Sequence, residues 1–255
     1  MAPPAPAPAP NGEARPLTGK TVLVIGGSSG IGLAVAARAA RSGANLLLVA
    51  RDEEKLQAVA AELRQVGGQV AVAAFDVTDE QALARFCEQM PATDHAVSMV
   101  GGAMAGGFLA NPEAVIRRAI EEKFFAALAV ARVIAPRLRD GGSLTLTSGA
   151  GGRAHEASGA IIGNAAVRIL AQGLAVELAP RLRVNAVAPT WMDTPLWRNM
   201  PPEQIEQTKA HFAATIPLGR TAQPDEVAQA YLYAITNGFV TGQTLVVDGG
   251  LGLVD

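Results

Sequence analysis

The chain carries TVLVIGGSSGIG at residues 21–32, and this stretch decides the fold. Its first five residues form a β-branched, apolar run that is typical of a buried parallel strand. The glycines that follow let the backbone approach a bound group, and the helix after them presents free N–H groups to a phosphate. A tight turn without a ligand would explain a single glycine, but several glycines with two serines favour phosphate binding. The residues of this predicted phosphate-binding turn are Gly26, Ser28, Ser29, Gly30, Ile31 and Gly32.

The rest of the chain alternates in the same way between short apolar runs and longer helical patterns. Strands that alternate with helices predict an α/β fold, a doubly wound parallel sheet of about seven strands with helices on both faces. Two local expectations are that Thr78-x-x-Gln81 is a capping box and that Asn111-Pro112 starts one long helix running to about Arg139. The strands are predicted at 21–25, 45–50, 69–75, 95–100, 143–147, 182–187 and 243–247.

Composition and charge exclude several classes of protein. With 255 residues, 49% of them hydrophobic, the chain can bury one sizeable core. Its 21 basic and 23 acidic residues give a net charge of −2, which predicts no nucleic-acid partner. A single cysteine, and three histidines without ligand spacing, predict no metal site. The sequence has no apolar run of roughly 18 residues or more, so we expect no membrane partner and a cytoplasmic protein.

The N-terminal segment differs in composition from everything after it. Residues 1–16 are rich in Ala and Pro, and proline both restricts the backbone and removes N–H donors. This segment has no apolar stretch like that of a secretory signal. We expect a disordered tail over 1–16 and a single domain over 17–255.

Several short motifs follow the glycine-rich turn, which itself is spaced G-x-x-x-G-x-G. Asp76-Val77 follows the third predicted strand, and VNAVAP occupies 184–189; TGQ at 241–243 and VDGG at 247–250 complete the set. In these motifs the chain resembles the short-chain dehydrogenase/reductase family over residues 17–255. The resemblance implies a Rossmann domain that binds a nicotinamide dinucleotide, with the adenine at Asp76-Val77 and the nicotinamide beyond 184–189. The cofactor residues that it implies outside the turn are Asp76, Val77, Gly101, Pro189, Thr190, Met192 and Thr194.

The end of the second strand indicates which dinucleotide binds. NAD-selective members of the family carry an acid there, whereas this chain has Ala50 followed by Arg51. A guanidinium suits the 2′-phosphate of NADP through charge-assisted hydrogen bonds. The alternative is that Arg51 is only a solvated charge at the start of a helix. We predict NADP(H) as the cofactor, in preference to NAD(H), with Arg51 on the 2′-phosphate.

The catalytic motif of the family is where this chain departs from it. The resemblance implies a serine at the end of the fifth strand, and Ser148 is there, but the Tyr-x-x-x-Lys that should follow is missing. Alignment of the Asn-Ala-Ala at 164–166 puts Ala160 at the tyrosine and Asn164 at the lysine. Alanine cannot donate a proton, so ordinary carbonyl reduction needs another donor.

Lys123 is the candidate substitute for the missing groups. It occupies the family's asparagine position on the helix after the fourth strand, and its neighbours Phe124 and Phe125 suggest burial, where an unpaired lysine is costly. The alternative is an exposed lysine on a polar helix face. A buried lysine of lowered pKa could donate a proton or bond the nicotinamide ribose. We predict Ser148 and Lys123 as the catalytic residues.

The segment after Pro189 is a candidate lid. It holds both tryptophans of the chain, and we expect either an apolar substrate lid near 190–216 or side chains that only pack. His155 and Glu156, between Ser148 and Ala160, either line the substrate pocket or belong to a surface loop.

An atypical oxidoreductase is the predicted function, using NADP(H) on a small carbonyl or alcohol substrate. Two other classes stay open: a non-catalytic dinucleotide-binding or sensor protein, and a non-redox enzyme such as a dehydratase or isomerase. The family packs two helices against symmetry mates, and here the helices near 112–139 and 158–179 are rich in alanine. We therefore expect a homotetramer, or failing that a homodimer.

Overall fold

A computed structural model describes residues 15–102 and 105–254. The predicted tail over 1–16 therefore lies almost wholly outside the described residues. Arg15 and Pro16 are exposed, and Leu17 is the first side chain that enters the core.

Seven parallel strands form one sheet, in the order β3-β2-β1-β4-β5-β6-β7. The order reverses between β1 and β4, and in a sheet of this kind ligands bind at that point, outside the carboxyl ends of the strands. The predicted doubly wound sheet is confirmed. The strands are β1 (Thr21–Ile25), β2 (Asn45–Ala50), β3 (Val70–Ala74), β4 (Thr93–Ser98), β5 (Leu138–Thr147), β6 (Leu182–Pro189) and β7 (Thr244–Val247).

Helices cover both faces of the sheet and bury an apolar core on each. Helices α1, α2 and α8 pack on one face, and α3, α5 and α6 pack on the other, so the amphipathic helices each bury one stripe. The helices are α1 (Gly30–Arg41), α2 (Glu53–Val66), α3 (Glu80–Gln89), α4 (Glu113–Ile120), α5 (Ala126–Ile134), α6 (Ser158–Glu177), α7 (Pro202–Thr215) and α8 (Pro224–Thr236).

Two local predictions are wrong. Asp79, not Thr78, caps α3, because its carboxylate accepts hydrogen bonds from the N–H groups of Gln81 and Ala82, while the Thr78 hydroxyl donates to Asp76. The long helix predicted from Asn111-Pro112 to Arg139 is α4 and α5 joined by a π-helical turn, Glu121–Phe125, and it ends in a 3₁₀ turn at Arg137.

One described helix, α6, is long and apolar enough by length and composition to cross a membrane. A core helix of a globular fold passes the same test. On α6, the side of the helix that carries Gly163, Val167 and Ala171 is buried. This helix is therefore weak evidence for a membrane span, and the expected lack of a membrane partner stays a prediction.

Candidate active site

A cavity of about 760 Å³ opens at the carboxyl ends of β1, β4, β5 and β6. The glycine-rich turn forms one part of its lining, and the ends of β5 and β6 with helices α6 and α7 form the rest. A cavity of this size is large enough for a cofactor or a small ligand. It is the place where the sequence predicted the dinucleotide and the substrate.

The turn between β1 and α1 has the shape and the free donors that a phosphate needs. Gly26 has φ of +85°, and a Cβ at Gly32 would lie 2.1 Å from the Gly26 carbonyl oxygen, so only glycine fits there. The Ser29 side chain does not cap α1, which leaves the first N–H groups of that helix available to a ligand. Gly26, Ser29 and residues 30–32 line the cavity, whereas Ser28 does not.

Arg51 and Asp76 stand at the ends of neighbouring strands, β2 and β3. The guanidinium Nη1 lies 3.9 Å from the Asp76 carboxylate, and both side chains are largely exposed. Hydrogen bonds from the Thr78 N–H and hydroxyl, with the nearby Arg51 charge, hold the pKa of Asp76 below its usual value. Val77 packs against the core. Apart from this contact with Asp76, the Arg51 side chain is exposed to solvent.

The Ser148 hydroxyl is fully engaged by protein groups. It donates to the Asn164 carbonyl oxygen at 2.8 Å and accepts from Arg168 Nε at 3.2 Å, while Arg168 Nη2 donates to the Gly149 carbonyl at 2.5 Å. Ser148 lines the cavity, but its hydroxyl must turn to meet a substrate oxygen. The sequence analysis missed Arg168; its signal was a lone arginine within the apolar pattern of α6.

Lys123 is buried, so the interpretation of it as an exposed helix lysine is wrong. It lies in the π-helical turn, and its Nζ donates to the Ser148 carbonyl oxygen at 3.3 Å. A Cβ at Gly101 would lie 2.6 Å from this Nζ, and a Cβ at Gly163 would lie 2.8 Å from the Lys123 Cβ, so two glycines make room for the side chain. Burial lowers the pKa of Lys123 to about 8. No carboxylate of the described residues lies within ion-pair distance of it.

Ala160 and Asn164 line the cavity on α6, and the Asn164 amide packs against Gly149. None of the described lining residues is a tyrosine. Tyr231, on α8, is completely buried and hydrogen-bonds to Thr147 Oγ1 at 2.7 Å, and burial raises its pKa above the usual value. No phenol therefore faces this part of the cavity.

The remaining predicted cofactor residues all line the cavity: Gly101, Pro189 at the end of β6, and Thr190, Met192 and Thr194 after it. The predicted lid over 190–216 contributes Trp191, Trp197 and, from α7, Phe212. Glu156 lines the cavity and His155 does not, although both side chains are exposed. The structure thus brings most of the predicted cofactor and catalytic residues together around the cavity. Lys123 lies behind the lining, and four residues lie outside it: Ser28, Arg51, Asp76 and Val77.

Comparison with known proteins identifies relatives along nearly the whole chain. A family model described as enoyl-(acyl carrier protein) reductase matches residues 25–252. 2,5-Dichloro-2,5-cyclohexadiene-1,4-diol dehydrogenase LinX of Sphingobium indicum is 31% identical over 93% of this chain and 98% of its own length. 3-Oxoacyl-(acyl-carrier-protein) reductase FabG of Chlamydia pneumoniae is 30% identical over 92% of this chain and 98% of its own. An NADPH-bound short chain oxidoreductase of Pseudomonas aeruginosa PAO1, described as containing an atypical catalytic center, superimposes with a TM-score of 0.83 at 28% identity, covering 92% and 97% of the two chains.

The fold, the glycine-rich turn and these similarities define the class of protein. The chain belongs to the short-chain dehydrogenase/reductase family, whose members bind a nicotinamide dinucleotide and act on small-molecule substrates.

Proposed function

We propose that this chain is an atypical short-chain dehydrogenase/reductase that uses NADP(H) on a small carbonyl or alcohol substrate. The observation that carries the proposal is Lys123, a buried cation held against the Ser148 carbonyl, with no carboxylate partner among the residues that the structure describes. We interpret Ala160 and Asn164 as the residues at the family's catalytic positions. The relatives LinX, a dehydrogenase, and FabG, a reductase, support an oxidoreductase.

The choice of NADP(H) rests on Arg51 and on the neighbour that binds NADPH. The first turn of α1 would hold the pyrophosphate, Asp76 the adenine end, and Arg51 the 2′-phosphate. When bound, the nicotinamide supplies or accepts a hydride. Ala50 offers no carboxylate to repel the extra phosphate.

Lys123 provides the acid in this proposal. With a pKa of about 8, its ammonium is mostly protonated at neutral pH and gives up a proton far more readily than an ordinary lysine. It would bond the nicotinamide ribose or the substrate oxygen from behind Gly101. Ser148 becomes a second donor once its hydroxyl turns away from the Asn164 carbonyl.

Two sets of variants test the proposal. NADPH should bind more tightly than NADH, and Arg51→Ala should cost about 1.5–3 kcal/mol of NADPH affinity, because a charge-assisted bond is lost. Arg85→Ala, an exposed arginine on α3, is the matched control. Equal affinity of the unaltered protein for the two dinucleotides contradicts the NADP(H) assignment.

Carbonyl-dependent consumption of NADPH should be abolished in Lys123→Met and unaffected in Lys55→Met, an exposed lysine on α2. Turnover that survives in Lys123→Met contradicts the role of this lysine. NADPH binding without turnover on any carbonyl or alcohol favours the non-catalytic sensor, and turnover that leaves NADPH absorbance unchanged favours a dehydratase or isomerase.

Assembly as a homotetramer or a homodimer, in the cytoplasm, completes the proposal. The sequence suggested that the alanines of the helix near 112–139 face a partner. The structure instead buries Ala126, Ala127 and Ala131 in the chain's own core. The support is instead the exposed apolar face of α6, which carries Ile169 and Val176. Light scattering that finds a monomer at micromolar concentration contradicts this assembly.

A further inference from the structure

Three aromatic side chains form a continuous wall in the cavity, which we call the aromatic wall: Trp191, Trp197 and Phe212. The rings of Trp191 and Phe212 are nearly parallel, with centroids 5.5 Å apart and an angle of 5° between them. The rings of Trp191 and Trp197 lie 6.1 Å apart at 28°. The wall joins the segment after β6 to helix α7, and all three side chains line the cavity.

The two tryptophans differ in how their indole N–H groups are satisfied. Trp197 Nε1 donates to the Met192 carbonyl oxygen at 3.1 Å. Trp191 is 8% exposed, and its Nε1 is shielded from water and has no acceptor among residues 15–102 and 105–254. An unpaired buried N–H destabilises a folded protein, so most such groups in native structures have a partner. Its place in the lining indicates that a ligand supplies the acceptor.

One part of the lining has small side chains and leaves room for a flat molecule. Residues 149–152, Gly-Ala-Gly-Gly, and Ala160 line the cavity with almost no side chain. A bulky aromatic surface combined with small residues suits a planar ligand, because flat π-systems stack offset or edge-to-face on aromatic rings.

We propose that the substrate is a flat aromatic or conjugated compound that packs along the aromatic wall and whose oxygen accepts a hydrogen bond from Trp191 Nε1. The proposal rests on the proposed function only in placing the substrate beside the dinucleotide. Trp191 Nε1 is shielded in this structure, so the side chains that cover it must move when the substrate binds. Trp191 is then the residue that determines specificity.

Three bicyclic compounds of nearly equal size test the proposal: 1-tetralone, 1-decalone, which lacks the aromatic ring, and tetralin, which lacks the oxygen. Binding is measured by tryptophan fluorescence and by calorimetry, with saturating NADP⁺. Both tryptophans of the chain belong to the aromatic wall, so the fluorescence reports on this site alone. We expect 1-tetralone to bind about three- to tenfold more tightly than 1-decalone, and by a similar factor more tightly than tetralin.

Variants separate the ring from its N–H group. Trp191→Phe keeps a ring and should equalise 1-tetralone and tetralin while preserving the preference over 1-decalone. Trp191→Leu and Phe212→Leu should each remove most of that preference. Phe239→Leu, 98% exposed and outside the cavity lining, should change neither ratio.

The proposal is overturned if 1-decalone binds the unaltered protein as well as 1-tetralone does. It is also overturned if the affinity ratios among the three compounds persist in folded Trp191→Leu and Phe212→Leu. Failure of 1-tetralone to bind up to its solubility limit also overturns it. NADPH titration run in parallel separates failure of this proposal from failure of the proposed function. If NADPH binding and turnover are intact, the proposed function still stands.

Discussion

The two edges of the sheet treat buried polar groups in opposite ways. At the amino edge, the nearly buried Asp94 accepts hydrogen bonds from the Thr21 N–H at 2.8 Å and from Lys20 Nζ at 3.1 Å, and lies 3.6 Å from Arg139. Burial opposes its charge, but these partners hold the pKa of Asp94 below its usual value. Next to it, His95 Nδ1 is bonded to Ser143 Oγ at 2.9 Å.

At the carboxyl edge, the Ser148 hydroxyl has protein partners, but three other buried polar side chains are poorly satisfied. Lys123 has one long hydrogen bond to a carbonyl, and the side chains of Thr190 and Trp191 have no hydrogen-bond partner in the described part of the chain. Polar groups with partners add to stability, whereas groups without them reduce stability unless a ligand completes them. Substitutions at the amino edge should therefore change folding, and those at the carboxyl edge should change binding.

The largest effect is expected for Asp94→Ala. Loss of the carboxylate leaves the first N–H of β1 without its acceptor and removes two ion pairs, so the free energy of unfolding should fall by about 3 kcal/mol. Urea denaturation measures this loss. Asp140→Ala is the control, because this aspartate is 86% exposed and 3.8 Å from Arg181. A loss no larger than that of the control would contradict the contrast between the two edges.

Next comes the pH dependence due to His95. Burial lowers its pKa to about 4 in the folded protein, from 6.5 in the unfolded chain. The unfolded state therefore binds a proton first as the pH falls, and stability that is present above about pH 6.5 should be lost progressively towards pH 4, by about 3 kcal/mol. Unfolding free energies measured from pH 7 to pH 4 should show this loss, and His95→Asn should reduce it. If His211→Asn, at an exposed site, reduces it equally, the assignment to His95 is wrong.

A smaller effect of opposite sign is expected for Lys123→Met. Burial of an unpaired ammonium is costly, so this variant should be more stable by about 1–2 kcal/mol at pH 7. In the unaltered protein the folded state loses this proton near pH 8 and the unfolded state near pH 10.5, so stability should rise across that range relative to the variant. Denaturation of both proteins at pH 7 and pH 9.5 measures the stability difference and its change with pH. A variant less stable than the unaltered protein would mean that Lys123 stabilises the fold.

The smallest change in stability is expected for Arg51→Ala, less than about 0.5 kcal/mol, because an exposed ion pair contributes little. The same substitution should remove most of the increase in melting temperature that NADPH produces in the unaltered protein. Thermal unfolding with and without NADPH gives both quantities. Destabilisation without ligand would assign Arg51 a structural role.

Local features of the site were predictable from sequence, because neighbouring residues alone create them. The glycine-rich turn at 26–32 requires only a strand, a helix and backbone without Cβ atoms between them. Ser148 after β5 was expected from the resemblance to the family, and the structure places it there. Even local patterns fail where two side chains compete, as Asp79 and Thr78 do for the start of α3.

Only the tertiary structure decided what the polar side chains of the site do. The sequence left Lys123 open between an exposed and a buried position, and the π-helical turn with Gly101 and Gly163 buries it. Arg168, which is far from Ser148 in sequence, orients the Ser148 hydroxyl.

The sequence by itself determined the sheet and its glycine-rich turn, because periodicity and backbone freedom are properties of the chain. Partners, burial and pKa arise only when distant segments meet. The tertiary structure therefore decided that, within the described residues, Lys123 is a cation without a carboxylate partner and Trp191 has a free N–H in an aromatic wall.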